Sequence, residues 1–173
     1  MDDQEKIIIE VEENDIDEKE SAKKSTLRVL SFSLGEENYC IHIPKVKEVI
    51  RLSDITRIPL APSFAKGVIN LRGEIVSVLD IREFFGLAQS EKITDPRIII
   101  TDAAGYSVGI LADSIEGTID IEEELIQEPL ATLKQELRVY TKGQVQLGDK
   151  ILIILDIEKV LNCEQIEKLG RIR

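Results

Sequence analysis

The chain has 173 residues, a formal charge of −11 and a hydrophobic fraction of 43%. That length allows one domain or two small ones with a real core, and no apolar run is long enough to cross a bilayer. The acidity disfavours nucleic acid and anionic membrane as partners, because phosphate contact needs basic charge gathered in one place; the expected partners are proteins.

Residues 1 to 26 hold 10 Asp and Glu against 4 Lys, so this segment carries −6 and the other 147 residues only −5. Apart from Ile7, Ile8, Ile9 and Val11, it has too little apolar content to offset the entropy of ordering, and it is expected to be mostly disordered. No basic stretch leads into an apolar one, so secretion is not expected. Cys40 and Cys163 lie far apart and outside any metal-ligand spacing, as suits the sparse thiols of a cytoplasmic protein.

From Leu27 short apolar segments alternate with turns. Leu27 to Leu34 and Tyr39 to Ile43 read as strands. Pro44 to Ile50 reads as a short helix, since Pro44 suits a first helical turn and Val46, Val49 and Ile50 share a face. Strands follow at Gly67 to Leu71, Ile75 to Ile81, Arg97 to Thr101 and Tyr106 to Leu111. A second helix is expected from Ile121, where Asp120 and Glu123 have capping-box spacing. Gly143 to Leu147 and Ile151 to Ile157 complete the strands. A last helix is expected after Asp156, within the terminal region 158–173, with Gly170 as its stop.

The chain also repeats itself. Lys66 to Ile81 can be laid over Lys142 to Ile157 at a constant offset of 76 without a gap. A weaker echo pairs Leu30 to Ile43 with Ile98 to Ile110, setting Tyr39 against Tyr106. The reading is two similar β modules of about five strands, one over about 27–88 and one over about 96–157, linked through Gln89 to Asp95. Strands so short and numerous are best closed into small barrels that leave no exposed edge.

Within the first copy Arg72 and Gly73 coincide with Gly148 and Asp149, so each unit is a strand, a tight turn and a second strand. An arginine at such a bend caps backbone carbonyls, lies in solvent, or offers a rigid guanidinium to a partner carboxylate or carbonyl. Its setting between apolar strands favours recognition. Catalysis finds little support. His42, the one histidine, sits in an alternating strand without a triad or metal partner, and there is no phosphate-binding glycine loop, HExxH or CxxC. The repeated Asp80 and Asp156 each end a strand before a helical segment, where helix capping explains them better than a carboxylate dyad.

The stretch Phe32-Ser33-Leu34-Gly35 through Tyr39, Ile41, Ile43, Val46, Glu48 and Val49 resembles the CheW family of bacterial chemotaxis coupling proteins. So do Ile58-Pro59, Lys66-Gly67-Val68-Ile69-Asn70-Leu71-Arg72-Gly73 and Val78-Leu79-Asp80-Ile81-Arg82. In the second half Val108-Gly109-Ile110, Asp113, Ile115 and Gly148 to Lys159 are similar to it too, so the resemblance covers roughly Leu27 to Cys163. It implies two SH3-like five-stranded β-barrels packed together, with short helices and a C-terminal helix. It also implies a non-enzymatic cytoplasmic adaptor without a cofactor, coupling methyl-accepting chemoreceptor tips to the regulatory domain of the histidine kinase CheA. The positions that carry over as protein contacts are Val46 and Glu48 on the short helix, Gly67 before the hairpin, Arg72 in its turn, and Gly109 and Ile115 in the second module.

Overall fold

The computed structural model describes residues 24–89, 93–103, 105–164 and 166. The chain is mainly β, as its short apolar segments predict. Strands β1 (Thr26–Leu34) and β2 (Glu37–His42) lead through a 3-10 turn (Ile43–Lys45) into β3 (Val46–Arg51). The hairpin β4 (Ala65–Leu71) and β5 (Glu74–Leu79) is followed by a one-turn helix, α1 (Arg82–Phe85). Then come β6 (Arg97–Ala103), β7 (Tyr106–Ala112), β8 (Ser114–Glu122), a second 3-10 turn (Glu123–Leu125) and α2 (Gln135–Val139). The hairpin β9 (Thr141–Leu147) and β10 (Lys150–Leu155) and helix α3 (Ile157–Leu161) complete the order.

These strands form two five-stranded sheets, in the orders β8-β1-β2-β10-β9 and β3-β6-β7-β5-β4. Neither sheet is contiguous in the chain, which corrects the expected division into 27–88 and 96–157. Each half of the repeat lends its first hairpin to the other half's sheet. The lent hairpins join by parallel pairing, β2 with β10 and β5 with β7. Self-similarity identifies alike segments, whereas pairing is decided by which faces must be buried, and the interlaced arrangement buries both faces of the central strands.

The side-chain alternation shows this directly. In β10, Leu152 and Ile154 enter one small cluster with Val29, Cys40, Ile121 and Val145, inside the first sheet. Their neighbours Ile153 and Leu155 face the opposite way, into a larger core shared by both sheets with Phe32, Tyr39, Ile99 and Ile110. In β6, Ile98 and Ile100 likewise fill a cluster inside the second sheet with Ile69, Val76 and Val78. A strand buried on both faces must be apolar at every position, hence the uninterrupted Ile-Leu-Ile-Ile-Leu and Ile-Ile-Ile runs.

The edges of each sheet meet. Beyond β3, Thr56 and Val68 of β4 exchange two backbone hydrogen bonds of 2.9 and 2.8 Å; beyond β8, Gln127 and Gln144 of β9 do the same at 2.8 and 2.9 Å. Such pairing leaves less free strand edge for another chain to add to.

Three helix expectations need correction. The Pro44–Ile50 segment is a 3-10 turn followed by strand β3, because antiparallel pairing with β6 takes Val46–Arg51 into the second sheet. The segment from Ile121 stays in β8 until Glu122 and makes only a 3-10 turn. Asp156 does cap α3, accepting from the Lys159 N–H, but Asp80 is not the N-cap of α1, a place taken by Ile81; its carboxylate instead accepts from the Arg82 N–H at 3.2 Å as part of a buried ion-pair network. The last helix begins as expected and breaks at Asn162. Its proposed continuation falls on residues 165 and 167–173, outside the described residues, as does the acidic segment up to residue 23.

Candidate functional site

The hairpin of β4 and β5 pairs Leu71 with Glu74, leaving Arg72 and Gly73 as a two-residue turn with φ of +52° and +90°. This left-handed pair matches the twist of the strands; glycine adopts it freely, while arginine does so at a cost of about 1–2 kcal/mol. The Asn70 side-chain oxygen accepts a bond from the Gly73 N–H at 2.8 Å and holds the turn. The turn thus aims the Arg72 side chain at β3, where Nη1 and Nη2 donate to the two oxygens of Glu48 at 2.8 and 2.9 Å. Arg72 is 76% exposed and Glu48 28%, so the pair is a rigid, wet, bidentate fork on the molecular surface.

Val46 and Ile115 occupy equivalent places. Val46 is the first residue of β3 and Ile115 the second of β8, each just after the chain has crossed between sheets, and each precedes a β-bulge: Lys47 is skipped in the β3–β6 register and Glu116 in the β1–β8 register. Both are half-buried and pack on the core shared by the sheets. The registers relate them by 69 residues, a spacing that also relates Leu34 to Ala103 and Tyr39 to Val108. Tyr39 therefore corresponds to Val108, which shifts the expected register of the weaker echo. By the same offset Gly117 stands where the other sheet has Glu48, and by the offset of 76 that relates the two later hairpins Gly148 stands where it has Arg72. The fork is confined to one end of an otherwise paired architecture.

Gly67 and Gly109 are buried. A Cβ on Gly67, whose φ is +143°, would lie 2.1 Å from the Thr56 carbonyl oxygen. Gly67 thereby admits the strand crossing that joins the sheet's edges, and at its repeat counterpart Gly143 a Cβ would lie 2.8 Å from the Gln127 carbonyl oxygen. A Cβ on Gly109 would come within 2.6 Å of Ile98 Cγ2. The structure so brings Glu48 and Arg72 into contact, keeps Val46 on the same strand as Glu48, places Ile115 in the other sheet, and makes the two glycines supports of the backbone.

The residues that sequence reasoning missed are charged and buried. Arg82 donates Nε and Nη2 to the Asp80 carboxylate at 2.8 and 3.0 Å, and Nη1 to Asp113 at 2.8 Å. Asp113 lies between β7 and β8, where the chain crosses sheets, and its other oxygen accepts from the Gly35 N–H in the β1–β2 turn at 2.7 Å. Burial pushes the Asp80 carboxyl up, but hydrogen bonds and charge from Arg82, with the nearby Lys66, outweigh it and hold the group below its ordinary value. For Arg82 burial acts downward, and Asp80 and Asp113 raise the guanidinium above its usual value. The signal was present: at this point of the repeat Asp80-Ile81-Arg82 stands against Asp156-Ile157-Glu158, a reversal of charge. Among the described residues no cluster of three or more His, Cys, Asp or Glu converges as a metal site.

Nothing in this arrangement supplies a nucleophile beside a base; it offers an exposed fork and a half-buried apolar seam, features that suit recognition. Residues 28–165 match the CheW-like domain. The chain is 36% identical over 140 residues to the chemotaxis protein CheW of Klebsiella aerogenes, covering 79% of this chain and 82% of that protein. It also superposes on the crystal structure of the scaffolding protein TtCheW from Thermoanaerobacter tengcongensis with a TM-score of 0.73 and 31% identity, covering 86% of this chain and 96% of that one. A further likeness, 27% over 135 residues, is to the chemotaxis protein CheA of Borreliella burgdorferi, of which it covers 15%. With more than two thirds of its length matched in this way, the chain belongs to the CheW-like family of chemotaxis scaffold proteins.

Proposed function

We propose that this chain is a non-enzymatic cytoplasmic adaptor that joins the regulatory domain of a CheA-type histidine kinase to the cytoplasmic tips of methyl-accepting chemoreceptors, so that receptor occupancy controls the kinase. The observation that carries the reading is the Glu48–Arg72 fork, held outward by a left-handed turn at one end of a rigid sheet. A guanidinium fixed in this way exchanges readily between its own carboxylate and one on a partner, because the two sites are chemically alike. Val46 and Ile115 add apolar surface from both sheets. The likeness to a small part of a CheA sequence supports a kinase that carries a β module of the same kind, suited to packing module against module.

Calorimetric titration tests this. The chain is titrated with the kinase regulatory domain and, separately, with a receptor cytoplasmic fragment; micromolar or tighter binding to both is expected, with Arg72→Ala weakening one selectively. Binding to neither overturns the reading.

A further inference from the structure

The chain crosses between its sheets twice, from β2 to β3 and from β7 to β8. At both crossings an ion pair reaches in from the same place in the repeat, the residue two after the repeated aspartate. Arg82, following β5, holds Asp113 at the second crossing; Glu158, following β10, holds Lys45 at the first. The charges are reversed between the copies and so are the surroundings. Arg82 and Asp113 have side chains 4% and 7% exposed, whereas Lys45 and Glu158 are 36% and 55% exposed. Only the buried pair is extended on both sides, to Asp80 at the end of β5 and to the Gly35 N–H in the first sheet. Asp113 also donates its own N–H to the Ser33 carbonyl at 3.0 Å, and Ser33 and Ser114 hydroxyls meet at 2.7 Å. Arg82, in α1 shortly after the second sheet's β5, is thereby tied through Asp113, two residues before Ile115, to the β1–β2 turn of the first sheet.

We infer that Arg82 is a positioning residue: through Asp113 it sets how the two sheets are placed against each other, and with them the relation of Val46 to Ile115. The hydrophobic driving force is non-directional and specifies placement less sharply than a guanidinium fork shared by two carboxylates, which has one geometry. Hydrogen bonds to buried charge have no water to replace them when the sheets shift. The exposed Lys45–Glu158 pair is screened and replaceable by solvent, so it constrains placement little. The inference concerns placement alone and stands whether or not Val46 and Ile115 touch a partner; only its consequence for binding rests on the proposed adaptor role.

The test is backbone N–H residual dipolar couplings on the full chain, fitted separately to the two sheets. In the unaltered protein the two alignment tensors coincide. Asp113→Ala removes the acceptor of both Arg82 and Gly35; each sheet then still fits its own coordinates, the two tensors no longer coincide, and the Gly35 amide exchanges about tenfold faster or more. Glu158→Ala leaves the tensors coincident. Should Asp113→Ala fail to fold, Asp113→Asn keeps an oxygen for Arg82 but sacrifices one of the two bonds, and the same divergence is expected. Coincident tensors in the folded variants, with only a lower melting temperature, overturn the inference, and so does failure of both variants to fold, since the network is then a requirement of the fold itself. Titration with the receptor fragment separates the two proposals: diverging tensors with unchanged binding leave the positioning role standing and count against the adaptor surface.

Discussion

Arg72 and Glu48 join the two edges of one sheet: the turn after β4 donates two parallel hydrogen bonds, of 2.8 and 2.9 Å, to a carboxylate on β3. The pair stands over a seam that is closed beneath it by the Thr56–Val68 bridge. Because the backbone already holds the seam, the ion pair is not needed to close it.

Arg72→Ala is accordingly expected to lower stability by no more than about 1 kcal/mol, the ordinary range of an exposed ion pair, and to shift the melting temperature by a few degrees at most. Arg72→Gly removes the left-handed strain as well and is expected to be at least as stable as the unaltered chain. Thermal unfolding followed by circular dichroism checks both. Unfolding of Arg72→Ala at room temperature would make the fork a structural element.

Gly67→Ala is expected to cost about 3 kcal/mol or more. The new methyl would sit 2.1 Å from the Thr56 oxygen at a φ of +143°, so overpacking and backbone strain act together. Gly143→Ala meets Gln127 oxygen at 2.8 Å without a left-handed φ, and is expected to cost less. Urea denaturation orders the two; equal effects would show that the seams yield alike.

Leu60 has a φ of +62° and a fully exposed side chain, and follows Pro59 in a turn closed by the Ala61 N–H on the Ile58 carbonyl at 3.3 Å. It fills the place where a type II turn favours glycine. Relief of left-handed strain exceeds the added entropy of the unfolded chain, so Leu60→Gly is expected to stabilise by about 0.5–1 kcal/mol in the same urea assay.

Acid should loosen the buried network. The Asp80 carboxyl is held below its ordinary value of 3.8, so its ionised form contributes stability that is fully present above that pH and is lost as pH falls through the lower, folded-state value. Asp80→Asn is therefore expected to lower stability at neutral pH and to flatten its fall below about pH 4. Denaturation midpoints between pH 2 and 7, measured for both chains, decide this; an equally steep acid limb in the variant would assign it to other carboxylates.

Much of this protein was legible in one dimension. Eight strands were readable because β-branched runs bounded by Gly, Asn and Asp have few alternatives, and the tight turn at Arg72 and Gly73 followed from its alignment with Gly148 and Asp149. The two strands that escaped, β3 and β8, are counterparts, each with a bulge near its start that interrupts the period-two alternation. Val46, Val49 and Ile50 then fit a helical face as well as a strand, and pairing with β6 settled the matter.

By itself the sequence determined the β class, the repeat and the turn that carries Arg72, because strand propensity and turn chemistry are local properties and self-similarity can be read along the chain; Glu48 entered only through the resemblance to a family. Only the tertiary structure decided that each half lends a hairpin to the other, that Arg72 meets Glu48 rather than standing free, and that Arg82 reaches Asp113 across a sheet crossing. Those contacts join residues 24 and 31 positions apart, or whole hairpins further still. Their choice among many possible pairings is governed by which apolar faces can be buried together and where a buried charge can find its acceptor, conditions that exist only once the chain has closed on itself.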